Sequence, residues 1–85
     1  MTDPELRQQV VAFLNSVARP GCNASLVSDT ENLFDQGIMD SFALVQIISF
    51  LEQQYGVRLH TLGIDPADLG TITGIITAIE KSAEQ

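Results

Sequence analysis

Asp40 and Ser41, in the stretch "GIMDSF" at 37–42, put a carboxylate and a hydroxyl just after a turn and just before a long apolar run. A serine at the start of a helix lies among backbone N–H groups that lack intrahelical partners, at the positive end of the helix dipole. A phosphodiester built on that oxygen would have its negative charge stabilised there. The adjoining carboxylate offers a modifying enzyme a ligand for a metal ion. Competing chemistries have fewer parts. His60 is the only histidine and nothing in the sequence aims it at Ser41, so a Ser-His-acid hydrolase has weak support. Cys22 is the only cysteine, which excludes an internal disulfide, and one Cys with one His does not make a zinc site. Nothing near Cys22 is placed to lower its pKa, so it reads as a bystander. Ser41 therefore reads as a group that is acted on. The plain alternative is an ordinary helix cap.

The elements that must position this pair are helical. Residues 2–18 read as a first helix: Thr2 or Asp3 caps it, Pro4 suits the first helical position, and Leu6, Val10, Phe13, Leu14 and Val17 give an apolar face. "RPGCNAS" at 19–25 stops it. The connection over 19–39 is long for a compact domain, which is often a mark of function. Leu33 and Phe34 are its expected anchors, and Gly37 is expected at positive φ. The second helix spans 41–55, capped by Asp40 or Ser41 and ended by Gly56, with a stripe of Val45, Ile48, Leu51 and Tyr55 flanked by Leu44 and Ile47. Residues 57–64 alternate like a strand but have no partner strand, so they read as extended loop. "IDPADLG" at 64–70 has the form of one or two helical turns. Thr71 then caps a last helix over 72–83, with Ile72, Ile75, Ile76 and Ile79 on one face. Gly74 inside it reads as a cost of about 1 kcal/mol relative to Ala. The sum is an all-α chain, a small bundle of three longer helices and one short one with a long first loop, forming a single domain over 1–85.

Eleven carboxylates against four basic residues leave a net charge of −7. Nucleic acid and anionic membrane surfaces would be repelled, and basic patches on proteins are the partners such a charge steers toward. The polar start "MTDPELRQQ" has no apolar signal core, and no stretch is long enough to span a bilayer. The expectation is a soluble, cytoplasmic, monomeric protein with a small core.

"ENLFDQGIMDSFALVQIISFLEQQYGVRL" at 31–59 resembles the acyl carrier proteins, which include the peptidyl and D-alanyl carriers. The shared pattern is an apolar pair, a Gly turn, Asp-Ser followed by an apolar residue, and an apolar helix ending in "E-x-x-[FY]-G". "IDPADLGTITGIITAIE" at 64–80 looks like the family's short third helix and its fourth, so the resemblance covers nearly the whole chain. It implies an acyl-carrier-type four-helix fold and no catalysis. It also implies a 4'-phosphopantetheine arm on Ser41, placed from coenzyme A by a magnesium-dependent phosphopantetheinyl transferase with Asp40 as the adjacent acid. A ligase would load the arm with an acyl or aminoacyl unit, held as a thioester, for a downstream synthase or transferase.

The second helix departs from the acid-rich pattern of fatty acid carriers. Its one acid is Glu52, with Ala43, Gln46, Gln53 and Gln54 where acids are often seen; Asp29, Glu31, Asp35 and Asp40 precede the serine instead. Partner contact is expected through Phe42, Val45 and Gln46, with Asp35 and Ile64 beside them. This favours a specialised lipid, polyketide or nonribosomal peptide pathway over housekeeping fatty acid synthesis. "DSF" in place of "DSL" is similar to D-alanyl and several free-standing carriers. The alternative from another class is an unmodified helical module that docks through its apolar second helix.

Overall fold

A computed structural model describes residues 4–18 and 23–83. The expected caps at Thr2 and Asp3, the Pro20-Gly21 stop and Cys22 lie outside the described residues. The described chain is helical and contains no strand. Its elements are α1 (Pro4–Val17), a 3-10 turn (Ala24–Leu26), α2 (Ser41–Tyr55), α3 (Leu59–Leu62), a second 3-10 turn (Pro66–Gly70) and α4 (Ile72–Ala83). Helix α1 packs on both α2 and α4, while α4 also meets α3 and the second 3-10 turn.

The core is one cluster fed by every long helix. Val10, Val11 and Leu14 come from α1; Ala43, Ile47 and Leu51 from α2; Ile72, Ile75, Ile76, Ala78 and Ile79 from α4. The i, i+3, i+4, i+7 isoleucines of α4 thus override their β propensity, because only helical spacing buries all four together. On α2 the buried line is Ala43–Ile47–Leu51, and Val45 stands 61% exposed. The stripe expected through Val45 is therefore displaced: in so apolar a helix hydropathy does not choose the inner face.

Segment 57–64 corrects the expectation of extended loop. It folds into the single turn α3, closed by Gly63 at φ 68°, whose N–H reaches the carbonyl of His60. Val57 alone of this segment is fully buried. The turn expected at 64–70 is present as the 3-10 helix, capped by the Asp65 side chain, which accepts from the Ala67 N–H at 2.9 Å.

Backbone bonds tie the long first connection to the far side of the bundle. The Leu33 N–H donates to the Gly70 carbonyl at 2.7 Å, and the Thr73 N–H donates to the Asp29 carbonyl at 3.0 Å. Arg7 of α1 adds an ion pair with Asp29 at 2.7 Å. Leu33 is the buried anchor, as expected, but Phe34 remains 39% exposed and lies along Gly70, where a Cβ would stand 3.3 Å from its ring. Asp29 is thus a structural tie, not part of a solvated acidic face.

Candidate attachment site at the head of the second helix

The turn before α2 is built by Asn32, Leu33 and Gly37. The Asn32 side-chain oxygen accepts the N–H groups of Phe34 and Asp35, and the Leu33 carbonyl accepts those of both Ile38 and Met39. Gly37 takes φ 75°, the left-handed region in which a Cβ is strained. Ile38 and Met39 are buried directly after it, and that burial fixes where Asp40 and Ser41 emerge.

Asp40, not Ser41, is the cap. Its backbone is extended and its carboxylate accepts from the Ala43 N–H at 2.8 Å. The Ser41 side chain is exposed at the first position of α2, and its hydroxyl makes no hydrogen bond among the described residues. A free hydroxyl beside the positive end of a 15-residue helix, with its local capping already supplied by a neighbour, fits the attachment of an anionic phosphodiester. His60 lies away from this head, on the wall of a groove whose lining does not include Ser41.

Around the serine the surface is apolar and amide-rich. Phe42 is 67% exposed and Val45 61%, one turn apart on the same side. Gln46 is half-buried, and Ser49 and Gln53 continue the outer surface, their side chains joined at 3.1 Å. Asp35 is exposed in the preceding turn. Ile64 is half-buried and belongs to a different feature, an open groove of about 700 Å³ against the C-terminal half of α2, where it meets Ile48, Leu59 and Arg58. Asp40, Ser41, Phe42, Val45 and Gln46 are thus brought together on one helix head, and Ile64 is not.

Sequence reasoning passed over Arg58 and the groove it borders; the only signal was the Gly56 and Gly63 pair bracketing that segment. Phe50, which by sequence widens the apolar stripe of the second helix together with Phe42 and Leu44, packs inward as an aromatic group. The Phe50 ring stacks on Phe13 of α1 at 4.1 Å between centroids, and Tyr55 meets it edge-on at 5.7 Å. Tyr55 donates a hydrogen bond to the Gln9 side chain, and burial pushes its pKa up. No helix among the described residues is long and apolar enough to cross a membrane, and no group of three or more His, Cys, Asp or Glu among them could hold a metal ion.

A small helical bundle with an exposed Ser at the head of its second helix has the form of a carrier domain. The family model of the phosphopantetheine attachment site matches residues 17–79, and the chain belongs to that family. It is a non-catalytic carrier protein whose domain receives 4'-phosphopantetheine. Among curated relatives, the D-alanyl carrier protein of Lactobacillus helveticus (strain DPC 4571) is 26% identical over 77 residues, 91% of this chain and 94% of that protein. The D-alanyl carrier protein of Streptococcus pyogenes serotype M5 (strain Manfredo) is 31% identical over 51 residues, 60% of this chain and 65% of that one. The chain therefore spans just under two thirds of the streptococcal relatives it matches. No solved structure matches.

Proposed function

We propose that the chain, as one carrier domain, bears its phosphopantetheine on the Ser41 hydroxyl. There it presents a small aminoacyl or acyl unit to a loading ligase and then to a downstream synthase or transferase. The observation that carries this reading is the division of labour at the helix head: Asp40 caps α2, which leaves the Ser41 hydroxyl exposed and unengaged. When bound, the arm supplies a terminal thiol that holds the cargo as a thioester. The work of this chain is to fix the root of that tether, so that a cargo meets successive active sites at raised effective concentration.

Asp40 sits where a transferase could use its carboxylate to hold magnesium beside the serine. Phe42, Val45 and Gln46 form the contact surface for partners, with Asp35 at its edge, because any enzyme that receives the tether must cover the ground around Ser41. The relatives, named as D-alanyl carrier proteins, favour an aminoacyl cargo. The neutral α2 favours a dedicated partner set in a specialised pathway over enzymes that read an acid-rich helix.

The test is intact mass after incubation with coenzyme A, magnesium and a broad-specificity phosphopantetheinyl transferase. A gain of one phosphopantetheine mapped to the Ser41 peptide supports the reading. A gain mapped elsewhere, or its persistence in Ser41→Ala, sinks the site. No gain with several transferases returns the surface around Phe42 to the alternative of an unmodified docking module.

A further inference from the structure

Helix α2 carries a second feature, on the side that faces α1. Phe13, Gln46, Ser49, Phe50, Gln53 and Gln54 line an open groove of about 310 Å³ between the two helices. Its floor is the stacked pair of Phe13 and Phe50, with ring centroids 4.1 Å apart. Its rim is amide and hydroxyl. Gln46, Ser49 and Gln53 stand at i, i+3 and i+7 and so share one face of α2. The Gln53 amide donates to the Ser49 hydroxyl at 3.1 Å, which leaves the Gln53 side-chain oxygen open. The half-buried Gln46 side chain makes no hydrogen bond among the described residues.

Charge decides what can cover this face. The chain carries −7, yet no residue lining this groove is charged. On α1 the charges, Glu5 and Arg7, stand in its first four residues, and the one on α2, Glu52, lines a different groove. A partner with a basic patch gains nothing here. A second copy of the chain gains most: two acidic bodies repel wherever their carboxylates oppose, and this face brings them together with none in the contact. The pattern also complements itself, as a two-fold contact requires, since there the same patch meets itself. Antiparallel α2 helices crossing at Ser49 place Gln46 of one copy opposite Gln53 of the other, twice, at nearly equal distances from the axis. An amide donates and accepts at once, so each pair serves both partners.

We infer that this face of α1 and α2 joins two copies of the chain about an axis at Ser49, through Gln46–Gln53 amide pairs that flank the aromatic floor. Ser41 lies eight residues from Ser49, about 12 Å along the helix, so the two serines stand at opposite ends of the pair. The contact needs no arm on Ser41 and is independent of that assignment. Two helix faces of this length bury less than roughly 1,200 Å² in all, the range of transient contacts. The dimer is accordingly weak and concentration-dependent, in place of the monomer expected from sequence.

The test follows translational diffusion and amide shifts of the full chain by NMR, from about 20 µM to about 2 mM. Diffusion is expected to slow by up to about a quarter over that range, with the amide shifts centred on Gln46, Ser49 and Gln53. Added salt is expected to tighten the association, because it screens the repulsion left between two acidic bodies. Ser49→Glu and Ser49→Lys each set like charges against each other at the axis and are expected to weaken dimerisation at least about tenfold, with circular dichroism reporting the fold. An equimolar mixture of the two is expected to restore it, although both variants remain net negative. The same two changes at the exposed Thr77 on α4 are expected to alter nothing, alone or mixed. Diffusion that does not change with concentration, shifts centred elsewhere, association that weakens with salt, or a mixture of folded Ser49 variants no tighter than its parts would each overturn the inference.

Discussion

At the head of α2 two adjacent residues divide what one often does alone. Asp40 accepts the Ala43 N–H at 2.8 Å, so the capping energy belongs to it. Replacing Asp40 with Ala is expected to cost about 1 kcal/mol of stability. Ser41→Ala removes no cap and places a strong helix former at the first position, so it should change stability by less than about 0.5 kcal/mol. Paired urea denaturations check both, and equal losses would mean that the two share the cap. Ser41→Ala is also expected to abolish phosphopantetheine uptake completely, which separates a chemical role from a structural one. The pair was legible in sequence as "DS" before an apolar run, but its assignment was open, because Asp and Ser cap about equally well. Only the geometry assigns the cap to Asp40 and leaves Ser41 its hydroxyl. Phe42 belongs to the same scale. Its ring is 67% exposed, so Phe42→Ala should leave the melting temperature nearly unchanged while lowering kcat/KM for transferase loading about tenfold. A large loss of stability would make Phe42 a core residue instead.

Among the elements, the legible ones were those whose spacing repeats. The isoleucines of α4 recur four times at helical intervals, and each is buried. Helix α3 is a single turn, too short for any period to register, and its residues alternate as a strand's would. The inner face of α2 escaped for the opposite reason, because apolar residues surround it and hydropathy offers no contrast. Gly74 is the sharpest case. As a residue inside a helix it reads as a defect worth about 1 kcal/mol to repair with Ala. The fold reverses that sign. A Cβ at Gly74 would stand 1.8 Å from the Asp68 carbonyl oxygen, a backbone atom of the 3-10 turn that cannot swing aside. Gly74 lets α4 begin directly against that turn, with the Thr71 hydroxyl accepting its N–H at 2.9 Å. Gly74→Ala is therefore expected to destabilise by about 1–3 kcal/mol, read as a lower urea midpoint. A gain in stability would show that the turn and α4 can separate at little cost.

For the whole molecule, charge and topology pull in opposite directions. Eleven carboxylates against four basic residues give −7 on an 85-residue chain, and like charges held on a small surface repel one another. Set against this, the one ion pair among the described residues joins Arg7 to Asp29, and that pair raises the Arg7 pKa chiefly through its side-chain hydrogen bond. Both partners are about a third exposed, so the pair contributes only about 0.2–1 kcal/mol, part of which salt removes. Screening also removes the repulsion, which acts between many more pairs of charges over distances comparable to the Debye length, about 10 Å at 0.1 M. The repulsion outweighs the attraction of that pair, and stability should rise with ionic strength. The melting temperature is expected to climb by a few degrees between roughly 10 mM and 500 mM NaCl. Arg7→Gln should lower stability at both salt concentrations and steepen the climb, since the chain then carries one more net negative charge. A melting temperature that falls with salt would place the decisive electrostatics in the Arg7–Asp29 tie, making the strapping of the long connection onto α1 the weak point of the fold.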